Sequence, residues 1–144
     1  VITQNIDGLH QAAGSKEVLE LHGSVHRNYC SRCKKFYSLE EILAMDGVPR
    51  CGCGGIIKPD VVLYEEGLDQ GILQKAISYI RHADLLIIGG TSLVVYPAAG
   101  LINYYQGHKL VIVNKTVTPV DHQADLVVSG KIGAVFSQLL DCGE

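Results

Sequence analysis

Apolar positions along the chain fall into two kinds of run. Nearly uninterrupted stretches at 83–88 and 108–113 read as strands buried on both faces of a parallel sheet, and 124–128 reads as a last strand. Val1, Ile2 and Thr3 are β-branched and read as the end of another strand, and 18–21 reads as a short strand leading to His22. Elsewhere apolar residues recur at helical spacing. Leu68, Ile72, Leu73, Ala76, Ile77 and Ile80 mark one buried stripe over 68–83, and Ile132, Val135, Phe136, Leu139 and Leu140 mark another. A short helix over 8–13, and one opened by Pro97 and closed by Gly107, complete the pattern. Strands alternating with helices predict an α/β fold with a parallel sheet and right-handed crossovers. No internal repeat or low-complexity segment interrupts it.

Residues 27–57 have a different character. Cys30-x2-Cys33 and Cys51-x-Cys53 form two close pairs. Two such knuckles can set four thiolates tetrahedrally around Zn²⁺, and with cysteine at every position none is left open for water, so the site suits a structural ion. Such an ion contributes on the order of 10 kcal/mol to a module this small. Disulfides or reduced buried thiols are the alternatives. Between the pairs, Ser38-Leu39-Glu40-Glu41 is a capping box that predicts a short helix to Met45, ended around Gly47.

Polar groups with chemistry to offer stand where strands give way to turns, the crevice in which open α/β sheets bind ligands. Gln4, Asn5 and Asp7 follow the first strand. A buried carboxamide and carboxylate there need partners that a ligand can supply; alternatively Asp7 caps the next helix and Gly14 ends it. His22 is either a base with a pKa suited to deprotonating a hydroxyl or a loop histidine, and Gly23 after it would let a ligand approach the backbone. Gly89-Gly90-Thr91-Ser92 suits a phosphate or ribose, or is an ordinary turn. Asn114 stands where Rossmann-like folds read the adenosine ribose, or forms a turn. His26 has no such setting and reads as structural or surface.

Composition narrows the picture. The 144 residues suit one domain with a small insert, and 47% apolar content is enough for a core. With net charge −3 and no basic stripe, nucleic acid is not an expected partner. The longest apolar run is too short to span a membrane, and the opening has neither Met nor the basic stretch of a signal peptide. Four of five cysteines in two close pairs fit a reducing compartment, so a cytoplasmic location is expected; Cys142, outside both pairs, reads as an incidental thiol.

Taken in order, Thr3-Gln4-Asn5-Ile6-Asp7-Gly8-Leu9-His10, Leu21-His22-Gly23-Ser24, the two cysteine pairs, Lys58-Pro59-Asp60-Val61-Val62, Gly90-Thr91-Ser92 and Val113-Asn114 resemble the sirtuin family of NAD-dependent protein deacylases, over residues 1–136. The resemblance implies an incomplete Rossmann-like NAD-binding domain made of 1–26 and 58–144, with a small four-cysteine zinc-ribbon insert at 27–57. It implies contacts to the nicotinamide end of NAD from Gln4, Asn5, Ile6 and Asp7. At the ADP end it implies contacts from Gly90, Thr91, Ser92, Asn114, Lys115 and Ile132. His22 corresponds to the general base on the ribose hydroxyls, Asn5 and Asp7 to groups that orient the ribose, the carboxamide or a water, and His10 to a pocket residue. Val61, Val62 and Tyr64 correspond to the strip that pairs with an acyl-lysine peptide by strand addition, the Val62 carbonyl accepting the lysine amide N–H. Cys30, Cys33, Cys51 and Cys53 correspond to ligands of a structural zinc. The implied products are free lysine, nicotinamide and O-acyl-ADP-ribose. Two departures stand out: C-x-C replaces C-x2-C in the second knuckle, and Tyr64-Glu65-Glu66 replaces the usual Phe-Gly-Glu, which leaves peptide preference open.

Sirtuins carry a first strand and a Gly-Ala-Gly-x-Ser phosphate loop ahead of these motifs. The chain is therefore expected to be the C-terminal part of a deacylase and inactive alone. Two rivals use the same residues: NAD-dependent ADP-ribosyl transfer in the same pocket, and a non-catalytic nucleotide- or peptide-binding half-domain. A zinc-ribbon interaction protein accounts for 27–57 but leaves the strand-end motifs unexplained.

Overall fold

The computed structural model describes residues 1–141; Cys142 lies outside them. The chain folds as two compact units, Val1–Leu73 and the part from Gln74 onward. In the first unit the β-branched opening forms β1 (Ile2–Thr3), which pairs in parallel with β2 (Leu19–Glu20), Ile2 opposite Leu19 and Thr3 opposite Glu20. The chain between them makes one short helix, α1 (Leu9–Ala12). Next comes β3 (Gly23–Cys30), the long strand of this unit. It is the centre of an antiparallel sheet with β4 (Phe36–Tyr37) on one side and β5 (Ile57–Val61) on the other.

Between β4 and β5 lies α2 (Leu39–Leu43). Its start is the capping box read from the sequence. The Ser38 hydroxyl accepts the Glu41 N–H at 3.3 Å, and the Glu41 carboxylate accepts the Ser38 N–H at 2.7 Å. Two of the helix's orphan donors are thereby satisfied. The core beneath is small: Cys30, Tyr37, Cys51 and Ile57 are buried, with Ile42 and Met45 packed against them.

The helix expected over 68–83 is α3 (Gln70–Arg81), with Ala76, Ile77 and Ile80 buried. Asp69 opens it, its carboxylate accepting the Ile72 N–H at 2.8 Å. In the second unit β6 (Leu86–Gly89), β7 (Leu110–Asn114) and β8 (Leu126–Ser129) form a parallel sheet in that order. The run at 108–113 behaves as a central strand, with Leu110, Ile112 and Val113 buried. The run at 83–88 does not. Among the described residues its β6 pairs with β7 alone and lies at a sheet edge, where Ile87 is 45% exposed. On the other edge Leu126 and Val127 are likewise exposed, and so are Phe136 and Leu139 of α4 (Ile132–Asp141). The segment after Pro97 is a 3₁₀ helix, Ala98–Tyr104, rather than an α-helix, and it ends before Gly107. Among the described residues no helix is long and apolar enough to cross a membrane.

Replacing Ser38 by Ala removes the reciprocal cap and is expected to cost about 1 kcal/mol. Urea or thermal unfolding of the variant measures it.

Candidate active site and metal centre

Three of the sequence motifs meet in the first unit. After β1 the chain turns, and Thr3 Oγ1 accepts the Asn5 N–H at 3.0 Å. β3 then holds the turn from outside: the Val25 N–H donates to the Ile6 carbonyl at 3.1 Å, and His26 Nε2 lies 3.0 Å from the Asp7 carbonyl. The parallel pairing of β1 with β2 continues one residue further, the Leu21 N–H donating to the Thr3 carbonyl at 2.9 Å, and so carries His22 up beside Gln4. His22 Nδ1 lies 3.0 Å from the Gln4 carbonyl. A carbonyl can only accept, so Nδ1 carries the proton and the lone pair of the neutral ring sits on Nε2. That is the tautomer a general base needs. The His22 carbonyl in turn accepts the Val62 N–H at 3.0 Å, which ties the proposed peptide strip directly to the histidine.

Several sequence expectations change here. Asn5 and Asp7 are exposed, so burial does not force a ligand on them. The Asp7 carboxylate accepts the Leu9 N–H at 3.0 Å, the local role that the capping reading anticipated, although Gly8 occupies the cap position itself. Gly23 leaves no room for a ligand. It sits at φ +79°, and a Cβ there would stand 1.9 Å from the Asp60 carbonyl oxygen of β5. Its lack of a side chain admits a neighbouring strand. Val61 and Val62 are half-buried, but Tyr64 is fully exposed. The turn that follows puts Glu65 at φ +69°, a left-handed conformation costing an ordinary residue roughly 1 kcal/mol. Glycine in the usual family pattern suits that conformation; here Glu65 adopts it. Glu66 closes the turn, its carboxylate accepting the Leu63 N–H at 2.9 Å. His26, which the sequence reads as structural or surface, does hold a structural bond, and Arg27, which the sequence did not single out, reaches the same cluster from β3. Local pattern held no sign of this: the Asp7 partner of His26 is 19 residues away, and the two partners of Arg27 are 7 and 33 residues away on different strands.

The four paired cysteines form a second centre. Their Sγ atoms all lie within 4.8 Å of one another, with Cys30 to Cys53 and Cys33 to Cys51 each 3.5 Å apart. Tetrahedral Zn–S bonds of about 2.3 Å require neighbouring sulfurs roughly 3.8 Å apart, so the set fits zinc. Backbone amides prepare it. The N–H groups of Arg32 and Cys33 point at Cys30 Sγ at 3.4 and 3.5 Å. The Cys33 and Arg32 amides draw the Cys30 thiol below its usual range. Cys51 is pulled down to about 6 by the Cys53 amide and then the Tyr37 hydroxyl. Cys33 receives the Lys35 amide, yet the other three sulfurs push it up to about 11. Without a cation, only some of the four hold thiolates easily; a divalent ion removes that conflict.

In the second unit, a cavity of about 470 Å³ opens at the carboxyl ends of the three parallel strands. It gathers Gly90, Thr91, Ser92, Asn114, Lys115 and Ile132, all six residues assigned to the ADP end of the cofactor. Gly90 takes φ +64° at the mouth. The Asn114 side chain donates to the Thr116 carbonyl at 2.9 Å, leaving its carboxamide oxygen as an acceptor.

A family model described as the Sir2 family matches residues 1–97. The chain belongs to the Sir2 family. It is 62% identical over 143 residues to an NAD-dependent protein deacetylase of Clostridium perfringens, covering 98% of this chain and 59% of that protein. It is 58% identical over 142 residues to another of Clostridium acetobutylicum, covering 97% and 58%. The chain thus spans less than two thirds of the length of these curated relatives. A solved Sir2 structure, in complex with the inhibitor EX-527, 2′-O-acetyl-ADP-ribose and a deacetylated p53 peptide, superposes with a TM-score of 0.92 at 46% identity, covering 99% of this chain and 64% of that one. In this Sir2 chain the shorter C-x-C knuckle still brings all four sulfurs together.

Elemental analysis is expected to find one zinc per chain. Cys33→Ala or Cys53→Ala should abolish stoichiometric binding, and removal of the ion should expose the amides of β3 and β4 to hydrogen exchange.

Proposed function

We propose that the protein to which these residues belong is an NAD-dependent protein lysine deacylase acting on an acyl-lysine protein or peptide. The observation that carries this reading is the placement of His22. Its Nδ1 proton is held by the Gln4 carbonyl at 3.0 Å, and its own carbonyl is bonded to Val62 of the peptide strip at 3.0 Å. A base with Nε2 free is thereby fixed beside a segment able to receive an extended peptide.

Bound NAD would supply the ribose: the acyl oxygen would bond its C1′ as the C1′–nicotinamide bond breaks, and a water would then cleave the acyl C–N bond, leaving free lysine and O-acyl-ADP-ribose. The chain's own residues divide the remaining work. The cavity at Gly90–Ser92, Asn114, Lys115 and Ile132 suits an adenosine diphosphate: glycine backbone, two hydroxyls, one cation and one apolar face. Gln4, Asn5, Ile6 and Asp7 serve the nicotinamide end, Asn5 and Asp7 being exposed with polar groups to offer. His22 Nε2 accepts the proton of a ribose hydroxyl. Val62 presents its carbonyl to the lysine amide, while Val61 and Tyr64 flank the peptide. Zinc organises residues 27–57 and takes no part in the reaction. Four reduced thiolates at that site favour a cytoplasmic location.

The names of the relatives and the product complex of the solved Sir2 structure support the deacylase reading over its ADP-ribosyltransferase rival. His22→Ala in the protein as isolated from its source is expected to lower kcat/KM on an acetyl-lysine peptide by about 10²- to 10⁴-fold, the usual contribution of a general base. Mass spectrometry should show O-acetyl-ADP-ribose forming with the nicotinamide. No NAD-dependent turnover by the unsubstituted protein, or transfer of ADP-ribose to the peptide instead, would refute the reading.

A further inference from the structure

β3 does not run in regular register against β5. Ser24 stands opposite Asp60 and Asn28 opposite Pro59, so residues 25–27 form a wide bulge facing a single step of the partner strand. Bulges re-aim side chains, and they recur beside active sites. Here the bulge turns Arg27 so that one guanidinium meets two carboxylates. Arg27 Nη1 lies 2.6 Å from Glu20 Oε2 and Arg27 Nε lies 2.8 Å from Asp60 Oδ2. Glu20 is only 7% exposed, at the end of β2, and its other oxygen accepts from Gln11 Nε2 of α1 at 2.9 Å. Burial alone would lower the Arg27 pKa, but its two carboxylate partners raise it on balance, so the guanidinium stays charged.

The two carboxylates occupy matching places. Glu20 lies two residues before His22, and Asp60 two residues before Val62. The backbone hydrogen bond between His22 and Val62 lies just beyond the two arms of the arginine. We propose that Arg27 is a positioning residue that braces the His22 segment and the peptide strip at Val61 and Val62 in fixed register. The inference rests on the deacylase reading of that site. The planar fork is what allows one side chain to hold both partners; a lysine ammonium is a point charge and cannot reproduce that geometry.

Two variants test it without abandoning the buried Glu20. Arg27→Lys keeps a cation for Glu20, and Asp60→Asn removes only the exposed arm. In the native protein each is expected to raise KM for an acetyl-lysine peptide, on the order of tenfold for Arg27→Lys and less for Asp60→Asn, with KM for NAD unchanged. Hydrogen exchange at the Val62 amide should quicken by a similar factor while the melting temperature of Asp60→Asn stays that of the unsubstituted protein. A purely structural arginine would lower the melting temperature without separating the two KM values. Unchanged Val62 exchange in both variants overturns the proposal, and in an active enzyme so does an unchanged peptide KM. If the unsubstituted protein shows no deacylation, the functional reading fails by itself, and the exchange rates alone decide whether Arg27 braces the two segments.

Discussion

Four sulfur atoms within 4.8 Å of one another are the constraint on which the first unit turns. Thiolates repel, and the core around them is only a handful of side chains, too few to hold them together by burial. A cation is the economical solution, and the amides aimed at Cys30 show a backbone already shaped for anionic sulfur. The consequence travels along β3. This strand ends at Cys30 in the metal cluster and begins at Gly23, next to His22. A structural ion at one end thus fixes the strand whose other end presents the candidate base.

Between those ends the strand is irregular, and the irregularity carries information. A regular ladder from Gly23 to Cys30 would alternate its side chains across two faces. The bulge instead lets consecutive residues reach different targets: Val25 N–H to Ile6, His26 to Asp7, Arg27 to Glu20 and Asp60. The turn after β1, the end of β2 and β5 therefore all touch the same three-residue stretch. In the second unit the logic is simpler. Three parallel strands end together, and the turns after them supply the cavity walls.

What could be read from the sequence was whatever depends on near neighbours in the chain. Ser38 and Glu41 are three residues apart, and their mutual cap formed as expected. The cysteine spacing announced a four-sulfur cluster, and strand-end glycines and Asn114 announced the second-unit cavity. Contacts across long chain separations escaped. Gly23 looked like an opening for a ligand because nothing nearby in sequence reveals the Asp60 carbonyl against it. Nothing in the sequence singles out Arg27, since the bulge that aims it is a property of two strands together. The run at 83–88 looked buried on both faces because its composition is apolar, yet among the described residues the pairing of β6 with β7 alone leaves it at an edge.

β5 is also an edge strand: past Ile57, whose N–H donates to the Pro49 carbonyl at 3.0 Å, no strand among the described residues pairs with its side away from β3. An open edge suited to one extended peptide is equally suited to the edge of another molecule, and such pairing leads toward aggregation. The composition of β5 limits that hazard. Pro59 has no N–H to offer any neighbour, and Lys58 and Asp60 beside it are exposed and charged. An indiscriminate strand arriving along β5 would find a missing donor and two charges in its path, whereas the stretch from Val61 to Tyr64 is free of both. The same five residues that extend the sheet thus also act as its gatekeeper against self-association.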